Sequence, residues 1–198
     1  MNKLDLLMTG IGGQGIILAS DVVGTTALNS QYDIKKTDTL GMAQRGGSVI
    51  SHVRIAKKVY SPLIKEGDVD IMLAFEKLEA ARWAHFLKDN ALAIINDYSS
   101  PPFSVSIGNE EYPSDDKILT IIKQHTQKVR LIRGNKLAKM IGSVKSLNIL
   151  LLGCISTLMP FPVEAWRESI SEHLPSTLHD INLAAFDYGR KEMKHAYR

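Results

Sequence analysis

Gly10-Ile-Gly-Gly-Gln-Gly15 is the feature that most constrains this chain. A short apolar run, Leu4 to Thr9, leads into it. Ile16 to Asn29, rich in apolar and small residues, leads out. A buried strand, a glycine turn and a helix in that order are the opening of a parallel α/β sheet. Glycines let the backbone turn tightly and approach an anion, and the following helix start offers free N–H groups and a positive dipole end. Gly10, Gly12, Gly13, Gln14 and Gly15 are therefore candidate ligand- or partner-binding positions. The same glycines serve equally well if they only let the helix pack closely on the strand. Asp38, at the end of the next strand-like run, is a candidate for the acid that holds a ribose in dinucleotide sites. Gln14 beside Gly13 departs from the ordinary NAD pattern, so a ligand of another kind is the better reading of the loop.

Further along, Tyr32 to Asp38 reads as a strand and Thr39 to Gly47 as a loop. Ser48 to Ala56 alternates, with Val49, Ser51, Val53 and Ile55 on one face and Ile50, His52 and Arg54 on the other. That period of two, with β-branched residues, predicts a strand. Lys57-Lys58 predicts a turn into a return strand at Val59-Tyr60. Val69 to Phe75, Ala91 to Asn96, Val105 to Ile107 and Val129 to Ile132 are further expected strands. Glu76 to Lys88, Lys117 to Thr126 behind a Ser114-Asp-Asp start, and Asn135 to Ile141 are expected helices. Leu147 to Leu158, Val163 to His173 and Thr177 to Tyr197 complete a helical tail. Strands alternating with helices predict an α/β fold: a mostly parallel sheet with helices on both faces, followed by a C-terminal helical segment.

Gln44-Arg45-Gly46-Gly47 precedes the strand that carries Ser51, His52 and Arg54. Arg45 and Arg54 are fixed cations able to grip phosphate or carboxylate in two places at once. Gly46 and Gly47 permit unusual backbone angles or close approach by a partner. The segment as a whole reads as a binding surface, whereas His52 taken alone reads as a satisfied histidine. Glu76 and Glu79, three apart at a helix start, suit the helix dipole and need no catalysis.

Composition narrows the function. A formal charge of +3, with basic residues scattered along the chain, gives nucleic-acid binding little support. The single cysteine, Cys154, precludes an internal disulfide and a cysteine-ligated cluster held by this chain alone. It lies in an apolar helix and is expected to be buried and inert. The longest apolar stretch, Leu147 to Phe161, is interrupted by polar residues and too short to span a bilayer. With no signal-peptide pattern visible, the expectation is a cytoplasmic protein.

Taken together, Gly10 to Gly15, Gln44-Arg-Gly-Gly47, Ser51-His-Val-Arg54, Ser61-Pro-Leu-Ile64 and Asp70 to Glu76 resemble the gamma-type domain of the pyruvate/2-oxoacid:ferredoxin oxidoreductase superfamily. Within it, the chain resembles the beta subunit of the indolepyruvate type. The ordered motifs run from Leu4 to about Trp83. The resemblance implies a Rossmann-like single domain over residues 1–198, with the α/β core to about 142 and the helical tail from about 143. It also implies a subunit, inactive alone, of a complex that oxidatively decarboxylates a 2-oxoacid with coenzyme A, giving an acyl-CoA, carbon dioxide and reduced ferredoxin. Thiamine diphosphate, Mg and [4Fe-4S] clusters are expected on a large alpha partner subunit, and contact of this chain with coenzyme A is a further expectation. Gly67-Asp68, the one Gly-Asp pair, lacks the residues that follow in a thiamine site.

Overall fold

The computed structural model describes residues 2–40, 46–102, 105, 108 and 110–195. Strands β1 (Lys3–Ile11), β2 (Asp33–Leu40), β3 (Ser48–Ala56), β4 (Val69–Ala74), β5 (Leu87–Asn96) and β6 (Lys128–Ile132) form one sheet in the order β2-β3-β1-β4-β5-β6. β1, β4, β5 and β6 pair in parallel, whereas β3 runs antiparallel to both β1 and β2. Five strands thus share one direction and β3 opposes them, as the alternation of strands and helices predicts.

The helices are α1 (Ile16–Asn29), α2 (Lys77–Arg82), α3 (Asp115–Lys123), α4 (Gly134–Ile141), α5 (Leu147–Ser156), α6 (Val163–His173) and α7 (His179–His195). The period of two sorts each central strand between two cores. Leu6 and Met8 of β1, Val53 and Ile55 of β3 and Leu73 of β4 face α1 and the C-terminal helices. Leu7, Ile50, Met72 and Ala74 face α2 and α3. Both faces are covered, which is why β4 reads as a continuous apolar run from Ile71 to Ala74 rather than an alternating one.

Helix α5 is apolar all round and buried along its whole length, between the sheet layer and α7. A helix with no polar stripe has to be covered on every side. Its crossing with α7 is glycine on glycine: a Cβ on Gly153 would stand 2.1 Å from the Phe186 carbonyl oxygen, and one on Gly189 1.9 Å from that of Leu150. The backbones touch, so these two helices of the tail are joined to each other by main-chain contact.

Three expectations need correction. The helix expected over Glu76 to Lys88 ends at Arg82. A short 3-10 turn, Ala84–Phe86, follows, because Leu87 is already paired with Val69 in the sheet. No strand forms at Val59-Tyr60, where the Val59 amide donates to the Asp33 carboxylate at 2.8 Å instead of to a ladder. The last helix begins at His179, after a 3-10 turn at Ser176–Leu178. The short strand expected at Val105 to Ile107 falls largely outside the described residues. Among the described residues, no helix is long and apolar enough to cross a membrane.

The connections place the site. β1 leads through α1 towards β2 on one face, and β4 leads through α2 to β5 on the other. Two adjacent parallel strands whose connections leave in opposite directions open a crevice at their carboxyl ends.

A cleft at the carboxyl end of the sheet

The glycine loop lies in that crevice. Gly13 and Gly15 adopt φ of 103° and 79°, which L side chains rarely adopt. Gly10 is glycine for space: a Cβ there would meet the Gln14 Oε1 at 2.6 Å and the Phe75 Cβ at 2.8 Å. Gln14 closes its own loop, accepting from the Ile11 amide at 2.8 Å and donating to the Phe75 carbonyl at 3.4 Å. It joins the ends of β1 and β4. No side chain caps helix α1, so its first amides, at the glycine-loop end, have no intrahelical acceptor. Asn148 of α5 supports the turn from behind, its Nδ2 3.5 Å from the Gly15 carbonyl oxygen.

Gly46 and Gly47 join the loop directly. The Gly12 amide donates to the Gly47 carbonyl at 2.8 Å, and the Gly46 amide donates back to Gly12 at 3.4 Å. Gln44 and Arg45, immediately before them, lie outside the described residues. The remaining wall comes from elements that sequence reasoning did not single out. A cleft of about 390 Å³ is lined by the glycine loop and Gly46 together with Tyr98, Ser100, Asn135, Val144 and Lys145. Asn135 is placed by Asn96 at the end of β5. The Asn96 Nδ2 donates to its Oδ1 at 2.7 Å, and the Asn96 Oδ1 accepts from the Gly134 amide at 3.0 Å. With its oxygen so used, the Asn135 amide nitrogen is left as a donor at the cleft wall. The signal available in the sequence was Gly134-Asn135 directly after a strand, a second helix start at the same sheet end.

Beneath the cleft sits a buried polar cluster. Glu76 caps α2, accepting from the Glu79 amide at 2.9 Å. It also accepts from the Ser100 amide at 3.1 Å and from the Tyr112 hydroxyl at 2.5 Å. One carboxylate therefore fixes the helix start and the loop that carries Ser100. Burial raises the Tyr112 pKa, and the bond to Glu76 raises it further. Glu79 accepts from the Ser48 hydroxyl, which in turn accepts from the Trp83 indole at 3.3 Å. Burial raises the Glu79 pKa. The helix-dipole reading of the pair holds for its position, and Glu76 also holds Ser100 of the cleft wall.

The other sequence candidates lie elsewhere. Ser48 pairs with Ile11 at the cleft, and Arg54 pairs with Asp5 six positions along the strand, on the order of 20 Å away. Arg54 donates to the fully buried Asp5 carboxylate at 3.0 and 3.4 Å and to the Ser61 and Leu63 carbonyls at 3.4 and 3.1 Å. His52, on the same face, accepts from the Ile64 amide at 3.4 Å, and burial lowers its pKa. The Ser51-His-Val-Arg54 and Ser61-Pro-Leu-Ile64 motifs are thus one device, a strand holding a loop. Ser51 faces the opposite way and donates to Asp38 at 2.5 Å, while Asp38 is also paired with Lys36 at 3.0 Å. Because β3 lies between β1 and β2, Asp38 is two strands from the glycine loop, not beside it as in a dinucleotide site.

Nothing described here resembles a metal centre: among the described residues no three His, Cys, Asp or Glu side chains gather as ligands. Cys154 is buried in α5, and burial pushes its thiol up to about 12.

The sequence profile described as Pyruvate ferredoxin/flavodoxin oxidoreductase matches residues 5–192. The chain is 38% identical over 189 residues to the indolepyruvate oxidoreductase subunit IorB of Archaeoglobus fulgidus, covering 94% of each. It is 36% identical over 197 residues to the subunit of the same name from Pyrococcus horikoshii, covering 98% of each. Its fold matches the keto/oxoacid ferredoxin oxidoreductase gamma subunit from Geobacter sulfurreducens with a TM-score of 0.72 at 20% identity, over 97% of this chain and 99% of that one. It also matches a chain of the 2-oxoglutarate:ferredoxin oxidoreductase from Magnetococcus marinus, solved with 2-oxoglutarate, coenzyme A and succinyl-CoA bound, with a TM-score of 0.76 at 21% identity, and spans 32% of that chain. With the family profile matched over residues 5–192 and identities of 38% and 36% across nearly the full length of two subunits, the chain belongs to the pyruvate ferredoxin/flavodoxin oxidoreductase family.

Proposed function

We propose that this chain is the small subunit of a 2-oxoacid:ferredoxin oxidoreductase of the indolepyruvate type, active only with a large partner. The observation that carries the reading is the end-to-end likeness, at 38% and 36% identity, to two subunits named for indolepyruvate oxidation. The complex oxidatively decarboxylates an aryl pyruvate. Coenzyme A takes the acyl group, carbon dioxide leaves, and two electrons pass to ferredoxin. Thiamine diphosphate, when bound, stabilises the carbanion left by carbon dioxide. This chain's residues do not fit that group or a cluster: its one cysteine is buried, and Gly67-Asp68 forms a tight turn. Both belong on the partner.

The chain's own contribution is the cleft. Amides at the start of α1, the Asn135 amide and Lys145 suit an anionic group such as a coenzyme A phosphate. Arg45, next in sequence to Gly46, is a further candidate cation by its position in the sequence alone. Arg54 is left out of it, since Asp5 and two carbonyls already occupy its guanidinium.

The test is reconstitution. The chain is mixed with its thiamine- and cluster-bearing partner and assayed for indolepyruvate-dependent, coenzyme A-dependent viologen reduction. Activity is expected only from the mixture. Nicotinamide turnover by the chain alone would overturn the reading. In the active complex, Arg45→Ala and Lys145→Ala should each raise the coenzyme A concentration needed for half-maximal rate. An unchanged requirement would reduce the cleft to a contact with the partner.

A further inference from the structure

From Lys117 to Val163 the chain has eight basic residues and no Asp or Glu. The rest of the chain is net acidic, so the overall charge of +3 conceals a strong asymmetry. The fold gathers this stretch at one border of the molecule. β6 is the edge strand, α4 follows it directly, and a 3-10 turn, Val144–Ser146, follows α4. Lys128, Arg133, Lys136, Lys139 and Lys145 all lie exposed along it.

Elsewhere, cations are neutralised by nearby acids: Lys36 by Asp21 and Asp38, Arg54 by Asp5, Lys77 by Asp97 and Asp115. At this border, among the described residues, none of those five side chains makes an ion pair. Helix α4 is also charged against its own dipole. Arg133 occupies its N-cap position, Lys136 stands in its first turn, and no acid is there. Helix α3 does the opposite, with a Ser114 cap followed by Asp115 and Asp116. Lys136 and Lys139, three apart, repel each other on one helix face. A helix that places cations where acids would stabilise it has a use for them outside itself.

Exposed apolar side chains are interleaved with the charges: Leu131, Met140 and Val144 are 44%, 67% and 47% exposed. Apolar side chains among unpaired cations suit a protein partner better than a small ion. Its richness in lysine argues for a transient partner, because lysine is depleted in permanent interfaces, whereas unpaired charge speeds and steers encounter.

We propose that the β6–α4 border is the docking surface for a small acidic electron-carrier protein, the acceptor of the complex. This rests on the reading above: an oxidoreductase that delivers electrons to a soluble iron–sulfur protein needs a charged landing surface. This chain supplies capture, and the partner's clusters supply the electrons.

The assembled complex carrying Lys128→Glu, Lys136→Glu and Lys139→Glu tests it, with a purified acidic ferredoxin as acceptor. The KM for ferredoxin is expected to rise about tenfold or more at low salt with little change in kcat. Its salt dependence should flatten, and reduction of methyl viologen should be unchanged. The triple Lys→Gln variant should lie between. An unchanged KM for ferredoxin would overturn the proposal and leave these lysines as ordinary protection of an edge strand. Failure of the charge-reversed chain to join its partner would overturn it too, by making this border a subunit interface. Absence of viologen reduction in the unmodified complex would instead sink the functional reading beneath it.

Discussion

The two ends of the sheet are built from the same strands and put to opposite uses. At the amino end, charge is closed in on itself. Asp5, fully buried, is held by Arg54 at 3.0 Å and Lys3 at 2.7 Å, and its amide donates to Asp70 at 2.7 Å. At the carboxyl end, donors are left open: α1 starts without a side-chain cap, and Gly13, Gly46 and Asn135 line the cleft. β3 takes part in both, from Ser48 at the cleft to Arg54 at the clasp. A cation near a glycine-rich loop in sequence is therefore no guide to a binding site. What matters is whether a buried carboxylate has already claimed it.

The largest expected effect breaks the closed end. Asp5→Ala leaves Arg54 without its buried partner and should cost about 3 kcal/mol in urea unfolding, the low end for a broken buried pair because Arg54 is partly solvated. The double variant Asp5→Leu/Arg54→Leu should recover part of that loss. If Asp5→Ala changes the urea midpoint by no more than a surface variant does, the clasp is not structural. At the open end, Gly15→Ala combines a left-handed φ with a close approach to Asn148, and about 2 kcal/mol is expected. Gly13→Ala meets no neighbour within 4 Å, so only backbone strain of about 1 kcal/mol should appear in its thermal midpoint. Its effect on the coenzyme A requirement of the complex should be the more visible one.

The smallest effects separate the two regions by pH. Burial raises the Glu79 pKa above its ordinary 4.5, so its stabilising share is complete below 4.5 and lost as pH rises through the raised value. Burial lowers the His52 pKa below its ordinary 6.5, so its share is complete above 6.5 and lost as pH falls through the depressed value. Glu79→Gln should remove the first decline and His52→Gln the second, read from urea midpoints across that range. A variant that leaves the slope of stability against pH unaltered would break the assignment.

Much of this was legible early. Leu4 to Thr9, the glycine turn and the helix to Asn29 follow from local pattern, because burial on both faces demands an apolar run and the turn demands glycine. The alternation of Ser48 to Ala56 placed His52 and Arg54 on one face correctly. The joining of Gly46-Gly47 to Gly12 was not legible, since it needs β3 to pair with β1 across more than thirty intervening residues. Asn135, Ser100 and Lys145 were missed for the same reason: each is ordinary in its own segment and meets the cleft only when β5 and β6 are laid beside β4.

The sequence by itself determined the class of fold, the glycine turn, the inert cysteine and the family likeness, all of which depend on residue type and short spacing. Only the tertiary structure decided which charges are free. Arg54 looked available and is consumed by Asp5, while Lys128, Arg133, Lys136, Lys139 and Lys145 looked scattered and lie exposed along one border with no ion pair among the described residues. The reason is physical: a charge acts through what lies within a few ångströms of it, and in a folded chain those neighbours are mostly distant in sequence.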